Sequence, residues 1–207
     1  MLVSLRHGRT SCSGFSATEV TTVLTALTIL SGVAAPAVND YVEDAKLVRA
    51  QADVRTLAVS LVRLFHDVGV ERARRAAWGN YDLLVGAGAV PDTSGEAASA
   101  WGRRTSPDRV GILDDHLVTN AAEYPSLDLR ARHGWRGAYL QDRVDADPWG
   151  RRYEVNVGAL RSRQFDTVVL SAGPDGIVHS AFERDGLSAG GDDIIAAVAS
   201  NGYAWHP

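Results

Sequence analysis

Residues 14–38 read GFSATEVTTVLTALTILSGVAAPAV, and from Val20 to Val38 they hold 19 residues without a charge, whereas nearly all charged residues follow Asp40. As a helix rising about 1.5 Å per residue, the stretch from Phe15 to Val38 reaches roughly 36 Å, more than a hydrocarbon layer of about 30 Å. A buried core helix is the alternative, because threonines interrupt the apolar run. The flanks favour the membrane. Arg6, His7 and Arg9 precede the run, and positive residues beside a membrane segment stay on the cytoplasmic side, which places the N-terminus there. A secretory signal peptide would end in a small-residue cleavage site; Pro36 directly after Ala34-Ala35 suits that poorly.

The rest of the composition is that of an ordinary globular chain. Of 207 residues, 45% are apolar and 22% charged, enough for one domain with a core, and disorder, collagen and a coiled coil alone are excluded. The formal charge of −4 offers no broad positive field, so no nucleic-acid partner is expected. A single cysteine, Cys12, excludes an intramolecular disulfide.

Two residues in the apolar segment carry more than hydrophobicity. Glu19 places a carboxylate just inside it, and an intramembrane acid costs about 2.5 kcal/mol or more at the bilayer centre, so it calls for a cationic partner or an interfacial position in water and headgroups. Pro36 removes a helical hydrogen bond and crowds the preceding turn, which kinks the helix or lets it melt locally. Beyond Asp40, Leu47, Ala50, Val54, Leu57, Leu61, Leu64 and Val68 recur at spacings of three and four, the stripe of an amphipathic helix. Gly69 supplies a stop. Phe15 to Val68 is thus predicted as one rod, about 80 Å long if straight: residues 15–38 for the membrane and 39–68 carrying a head over 69–207.

Within the head, Glu71–Tyr81 is predicted as a short helix, Asp92–Pro107 as a Ser, Gly and Ala-rich loop, and Ile112–Val118 as the start of another short helix with His116 on its surface. Gly86 and Gly88 lack the third glycine and the Gly-Lys-Ser/Thr of a nucleotide loop. Asp147-Pro148-Trp149-Gly150 is turn chemistry. Tyr153–Val157 and Thr167–Ser171 read as two strands of a hairpin, whose apolar face should lie on the Leu47–Val68 stripe with Trp149 and Tyr153 in the packing. After the second strand, Asp175, Asp192 and Asp193 sit on glycine-rich turns. Three carboxylates with free carbonyls nearby suit a hard cation such as calcium, though the spacing is not that of an EF-hand; two plain polar turns are the alternative.

Gly14-Phe15-Ser16-Ala17-Thr18-Glu19, the apolar helix and Pro36 resemble the processing motif of type IV pilins and type II secretion pseudopilins, with Glu19 fifth and Pro36 twenty-second counted from Phe15. Gly134 to Ile194, running Gly137-Ala138-Tyr139-Leu140, Asp147-Pro148-Trp149-Gly150-Arg151-Arg152-Tyr153, Ser171-Ala172-Gly173-Pro174-Asp175-Gly176 and Asp192-Asp193-Ile194, is similar to the C-terminal half of the G-type major pseudopilin. The resemblance implies an α+β pilin-like fold, a long N-terminal spine on a small antiparallel sheet. It also implies a leader, residues 1–14, removed by a prepilin peptidase after Gly14, with methylation of the new Phe15 amine, and a pairing of Glu19 with that amine on a neighbouring subunit. A structural calcium ion would be held by Asp175, Asp192 and Asp193 with the carbonyls of Ala172 and Ile177, Gly190 and Asp185 being further candidates. The implied protein is not an enzyme. It is anchored by one pass in the inner membrane, its head is periplasmic, and it assembles with itself, with minor pseudopilins and with an assembly platform and its ATPase.

The chain departs from the family in three places: residues 69–133 are an atypical insertion, the tail from Ile194 to Pro207 extends further, and Phe15-Ser16-Ala17-Thr18 is less apolar than the usual start. Two rivals remain. One is a type IV pilin for adhesion, motility or DNA uptake, disfavoured by the lack of a C-terminal cysteine pair. The other is a single-pass anchored enzyme using His116, Asp114 and Asp115.

Overall fold

In the computed structural model, residues 14–69, 81–103, 107–126, 133–162, 165–183, 188–200 and 203–204 are described. They divide into two units, residues 1–44 and 45–207. The predicted helix at 71–81 falls almost wholly outside the described residues.

Helix α1 runs from Ala17 to Val68. In the first unit its apolar side chains are exposed, Val23, Leu24, Ile29 and Leu30 among them, so the buried-core alternative does not hold. This part is long and apolar enough to cross a membrane. Its threonines do not spoil that: the hydroxyls of Thr21, Thr22, Thr25 and Thr28 donate to the carbonyl four residues back at 2.8 Å, leaving no donor unmet in lipid.

In the second unit the predicted stripe is the core. Ala50, Val54, Leu57, Leu61, Leu64, Phe65 and Val68 are buried. The helix stops at Gly69, whose φ of 87° is open to glycine at little cost. Against this stripe lies a six-stranded sheet of order β3-β1-β4-β5-β7-β8. Its strands are β1 (Leu83–Val85), β3 (Val110–Ile112), β4 (Glu154–Val155), β5 (Thr167–Ser171), β7 (Ile194–Ser200) and β8 (Tyr203–Ala204). The β4–β5 pairing is antiparallel, with Glu154 opposite Leu170 and Val155 opposite Val169, so the predicted hairpin forms. Its link, however, holds a short helix over Val157–Ser162, α4. The sheet is mixed, not wholly antiparallel, because β3 joins β1 in parallel. Strands β2 (Asp92–Thr93) and β6 (Ile177–Val178) form a separate parallel pair.

Sheet side chains alternate between two apolar layers. Leu84, Val155, Val169 and Val198 join the α1 cluster with Tyr153, and Trp149 packs partly buried against it. Leu83, Val85, Val168 and Leu170 join a second cluster with Ala98, Trp101, Val178 and Phe182. Strands β1, β4 and β5 are therefore buried on both faces. The second layer comes from the segment expected to be a loop: α2 spans Gly95–Arg103. Its Ala98 and Trp101, one turn apart, face the sheet. The Trp101 ring meets Phe182 edge-on at 4.9 Å, and its indole N–H donates to the Ser180 carbonyl at 3.0 Å.

Polar anchors tie these layers. Asn156, fully buried, donates to the carbonyls of Asp166 and Phe182 and accepts from the Val168 amide. In the Asp-Pro-Trp-Gly turn, the Asp147 carboxylate accepts the amides of Trp149 and Arg151 and the Ser171 hydroxyl. His116 lies in α3 (Leu113–Leu117) and is buried, not on the surface, with Nδ1 2.7 Å from the Tyr124 hydroxyl. Leu113 and Leu117 pull this helix into the core, and His116 is carried in beside Leu117.

Truncating Trp101 to Ala should cost about 3–5 kcal/mol by the cavity rule for aromatic residues, read as a shift in the denaturant midpoint. A second prediction concerns pH. Burial, opposed by Arg152, pushes the Glu154 carboxyl up to about 7 from 4.5, while burial pushes His116 down to about 4 from 6.5. Between these values Glu154 is protonated in the folded state alone, so its contribution to stability falls as pH rises from about 4.5 to about 7. His116 is protonated in the unfolded state alone, so its contribution falls as pH drops from about 6.5 to about 4. The two oppose each other near pH 5–6, each by at most about 1.4 kcal/mol per pH unit. Relative to the parent, Glu154→Gln should lose stability on acidification from pH 6.5 to 5, and His116→Gln should gain it, measured by denaturant titrations at stepped pH.

Candidate functional sites at the helix start and the acidic turns

At the start of α1 the sequence Ser16-Ala17-Thr18-Glu19 forms a reciprocal cap. The Ser16 amide donates to Glu19 Oε2 at 2.8 Å, and the Glu19 amide donates to Ser16 Oγ at 3.2 Å. This is the Ser-x-x-Glu capping box, a signal legible in the sequence but overlooked there in favour of a cationic partner for Glu19. Phe15 is 87% exposed. A side chain at Gly14 would meet nothing within 4 Å, so the fold of this unit places no demand for glycine there. Arg6, His7 and Arg9 lie outside the described residues, as do the side-chain surroundings of Pro36, which sits within α1.

The acidic residues of the head meet where two turns approach. After β5, residues 173–176 turn with φ of 65° at Gly173 and 70° at Gly176. A Cβ on Gly173 would collide with the carbonyl oxygen of Asp192, so the absence of a side chain is what lets the turns touch. Asp175 Oδ1 accepts the Ile177 amide at 2.8 Å, and the Asp175 amide donates to Asp192 Oδ2 at 3.2 Å. Ligand atoms of Asp175, His179 and Asp192 all lie within 4.8 Å of one another, with His179 Nδ1 3.8 Å from Asp175 Oδ2.

Asp193 plays a different part. Its Oδ2 accepts the amides of His179 and Ser180 at 2.9 and 2.6 Å, and burial pushes its carboxyl above the ordinary value. Its own amide donates to the Gly190 carbonyl at 3.0 Å. Among the described residues, the buried Oδ1 atoms of Asp192 and Asp193 have no hydrogen-bond partner, a costly state for carboxylate oxygens and one that a cation relieves. The arrangement can therefore hold a divalent ion. Calcium takes oxygen ligands; of the three convergent side chains here, one offers a ring nitrogen instead. Ala172 is buried and Ile177 half-buried, while Asp185 lies outside the described residues.

The residues of the enzyme alternative form no such site. Asp114 Oδ1 accepts the Val144 amide at 2.8 Å, and His116 is closed in by Tyr124 and by the edge of Tyr81. A cleft between α1 and residues 140–146, lined by Arg49, Asp53, Thr56, Arg143 and Tyr153, does not reach His116; within it the Tyr153 hydroxyl donates to Asp53 Oδ2 at 2.9 Å.

With α3, the Asp147 turn, β4, β5 and the first acidic turn in place, a comparison with known families finds a match over one region. Residues 117–185 match the family model of type II secretion system (T2SS), protein G. The match covers one third of the chain and bears out the resemblance drawn from the Asp-Pro-Trp-Gly and Asp175 motifs. It takes in Asp147, Asn156, Asp175 and His179 and stops before Asp192. No curated protein and no solved structure matches the chain.

Gly173→Ala should destabilise the head by more than about 1 kcal/mol, since alanine meets both a positive φ and the Asp192 carbonyl, whereas Gly14→Ala should leave the unfolding midpoint where it is; chemical denaturation of both variants checks the contrast.

Proposed function

We propose that the chain is the precursor of a pseudopilin, a structural subunit of a periplasmic filament by which a type II secretion system exports folded proteins across the outer membrane. The observation that carries this reading is the protein G match over 117–185 in a chain whose N-terminal helix is a candidate membrane anchor. The role is structural, not catalytic: the family is one of filament subunits, and His116 is a core residue here.

In this reading a prepilin peptidase removes residues 1–14, methylates Phe15, and leaves 207 − 14 = 193 residues anchored in the inner membrane with the head in the periplasm. The exposure of Phe15 and the open space at Gly14 support access by a protease. The partners are further copies of this chain, minor pseudopilins, the assembly platform and its ATPase. Glu19 neutralises the Phe15 amine of an adjoining subunit, and Pro36 eases local melting as helices pack. A divalent cation holds the turns bearing Asp175 and Asp192; the family resemblance would make it calcium, with Asp193 and the carbonyls of Ala172 and Ile177 completing the set. The single cysteine disfavours a type IV pilin with a disulfide-closed C-terminal loop.

The capping box sharpens the test of Glu19. Its carboxylate oxygen already serves Ser16 within one chain, and glutamine fills the same capping role. A unit charge pair in a low-dielectric surrounding is far stronger than an amide hydrogen bond. Glu19→Gln should therefore retain membrane insertion and cleavage after Gly14 yet fail to enter filaments, measured by cross-linking between subunits and by secretion. Assembly equal to the parent would remove the charge pairing. Mass spectrometry of the mature N-terminus should find methylated Phe15; an intact leader in cells that hold the peptidase overturns the proposed function.

A further inference from the structure

We propose that the paired turns form a mixed nitrogen and oxygen site, Asp175–His179–Asp192, that takes a borderline divalent cation of the zinc class in preference to calcium. The inference rests on the reading of these turns as a cation site and concerns which ion they select.

Three observations carry it. First, the side chains that converge are two carboxylates and an imidazole. Neutral imidazole suits zinc and its first-row neighbours, whereas calcium prefers six to eight oxygens. Second, the fold places the histidine with care. Asp193, 6% exposed, fixes the His179 amide from below. Glycines 190 and 191 give the residue its space: a Cβ on Gly191 would stand 2.7 Å from His179 Nδ1, and one on Gly190 would stand 2.7 Å from the His179 carbonyl. Gly191 also has a φ of 55°. A side chain at Gly191 would crowd the ring itself, and one at Gly190 would crowd the backbone that carries it. Third, Asp192 keeps one buried oxygen without a hydrogen-bond partner among the described residues, which is what a ligand atom looks like before its ion is counted. Asp193 commits Oδ2 to two amides and is not among the side chains whose ligand atoms converge within 4.8 Å, so the third side chain of the cluster is His179. Two carboxylates and a neutral imidazole neutralise a divalent ion and leave coordination positions for water or backbone carbonyls.

The experiment uses the full-length chain in detergent micelles, with equilibrium binding of zinc and of calcium in direct competition and the visible spectrum of bound cobalt(II) as a report on nitrogen ligation. The parent should bind zinc more tightly than calcium. His179→Ala should weaken zinc by roughly tenfold or more, at least what losing an outer-sphere partner costs, and should shift the cobalt spectrum. His179→Asp, which restores an all-oxygen set, should reverse the preference toward calcium. Tighter calcium than zinc in the parent, or zinc binding unchanged in His179→Ala, overturns the inference while leaving the turns a cation site. Failure of both ions to bind overturns the inference and the cation reading together. Neither outcome touches cleavage after Gly14, which the mass of the N-terminus decides separately.

Discussion

The central strand β5, Thr-Val-Val-Leu-Ser, is buried along its whole length, and the remainder of the head follows from that constraint. A strand without a wet face needs a cover on each side. One cover is the C-terminal half of α1, offering Leu57, Leu61, Leu64 and Phe65; the other is α2 with Phe182, where Trp101 is the largest fully buried side chain among the described residues. Asn156 then becomes understandable as a polar peg at the point where β4 gives way to α4. Its amide group meets three backbone partners around β5, so the chain changes direction inside the core without stranding a backbone group.

The legible parts of the sequence were those with a long period or a fixed turn chemistry. The three-and-four spacing from Leu47 to Val68 is repeated often enough to specify a helix face, and Asp147-Pro148-Trp149-Gly150 names its turn directly. What escaped lacks such repetition. Strands β1 and β3 have three residues each, too few for any alternation to register. Helix α2 is hidden among Gly, Ser and Ala, and only Ala98 and Trp101 mark its inward side. His116 follows two aspartates, so its neighbours in sequence spoke for the surface, while the residues that bury it, Tyr81 and Tyr124, come from elsewhere in the chain.

The candidate sites show the same divide. Asp175 and Asp192 stand out because acids on glycine turns are conspicuous in a sequence, yet the partner that joins them, His179, sits where a strand is ending and gives no local sign beyond its place four residues after Asp175. Conversely Asp193, adjacent to Asp192 and indistinguishable from it by composition, points its carboxylate into the backbone of its own fold. Adjacent residues in a turn face different ways, and only the path of the chain decides which acid binds inward and which outward.

The back-bonded threonines of α1 carry a further consequence. With the hydroxyls of Thr21, Thr22, Thr25 and Thr28 turned onto their own helix, the wall between Val20 and Leu30 has little directional stickiness, and shape alone governs how another helix slides along it. In the proposed filament, a fixed stagger between neighbouring helices would then rest on groups outside this stretch, Glu19 first among them. Such a surface behaves less like a zipper than like a greased shaft with a single notch.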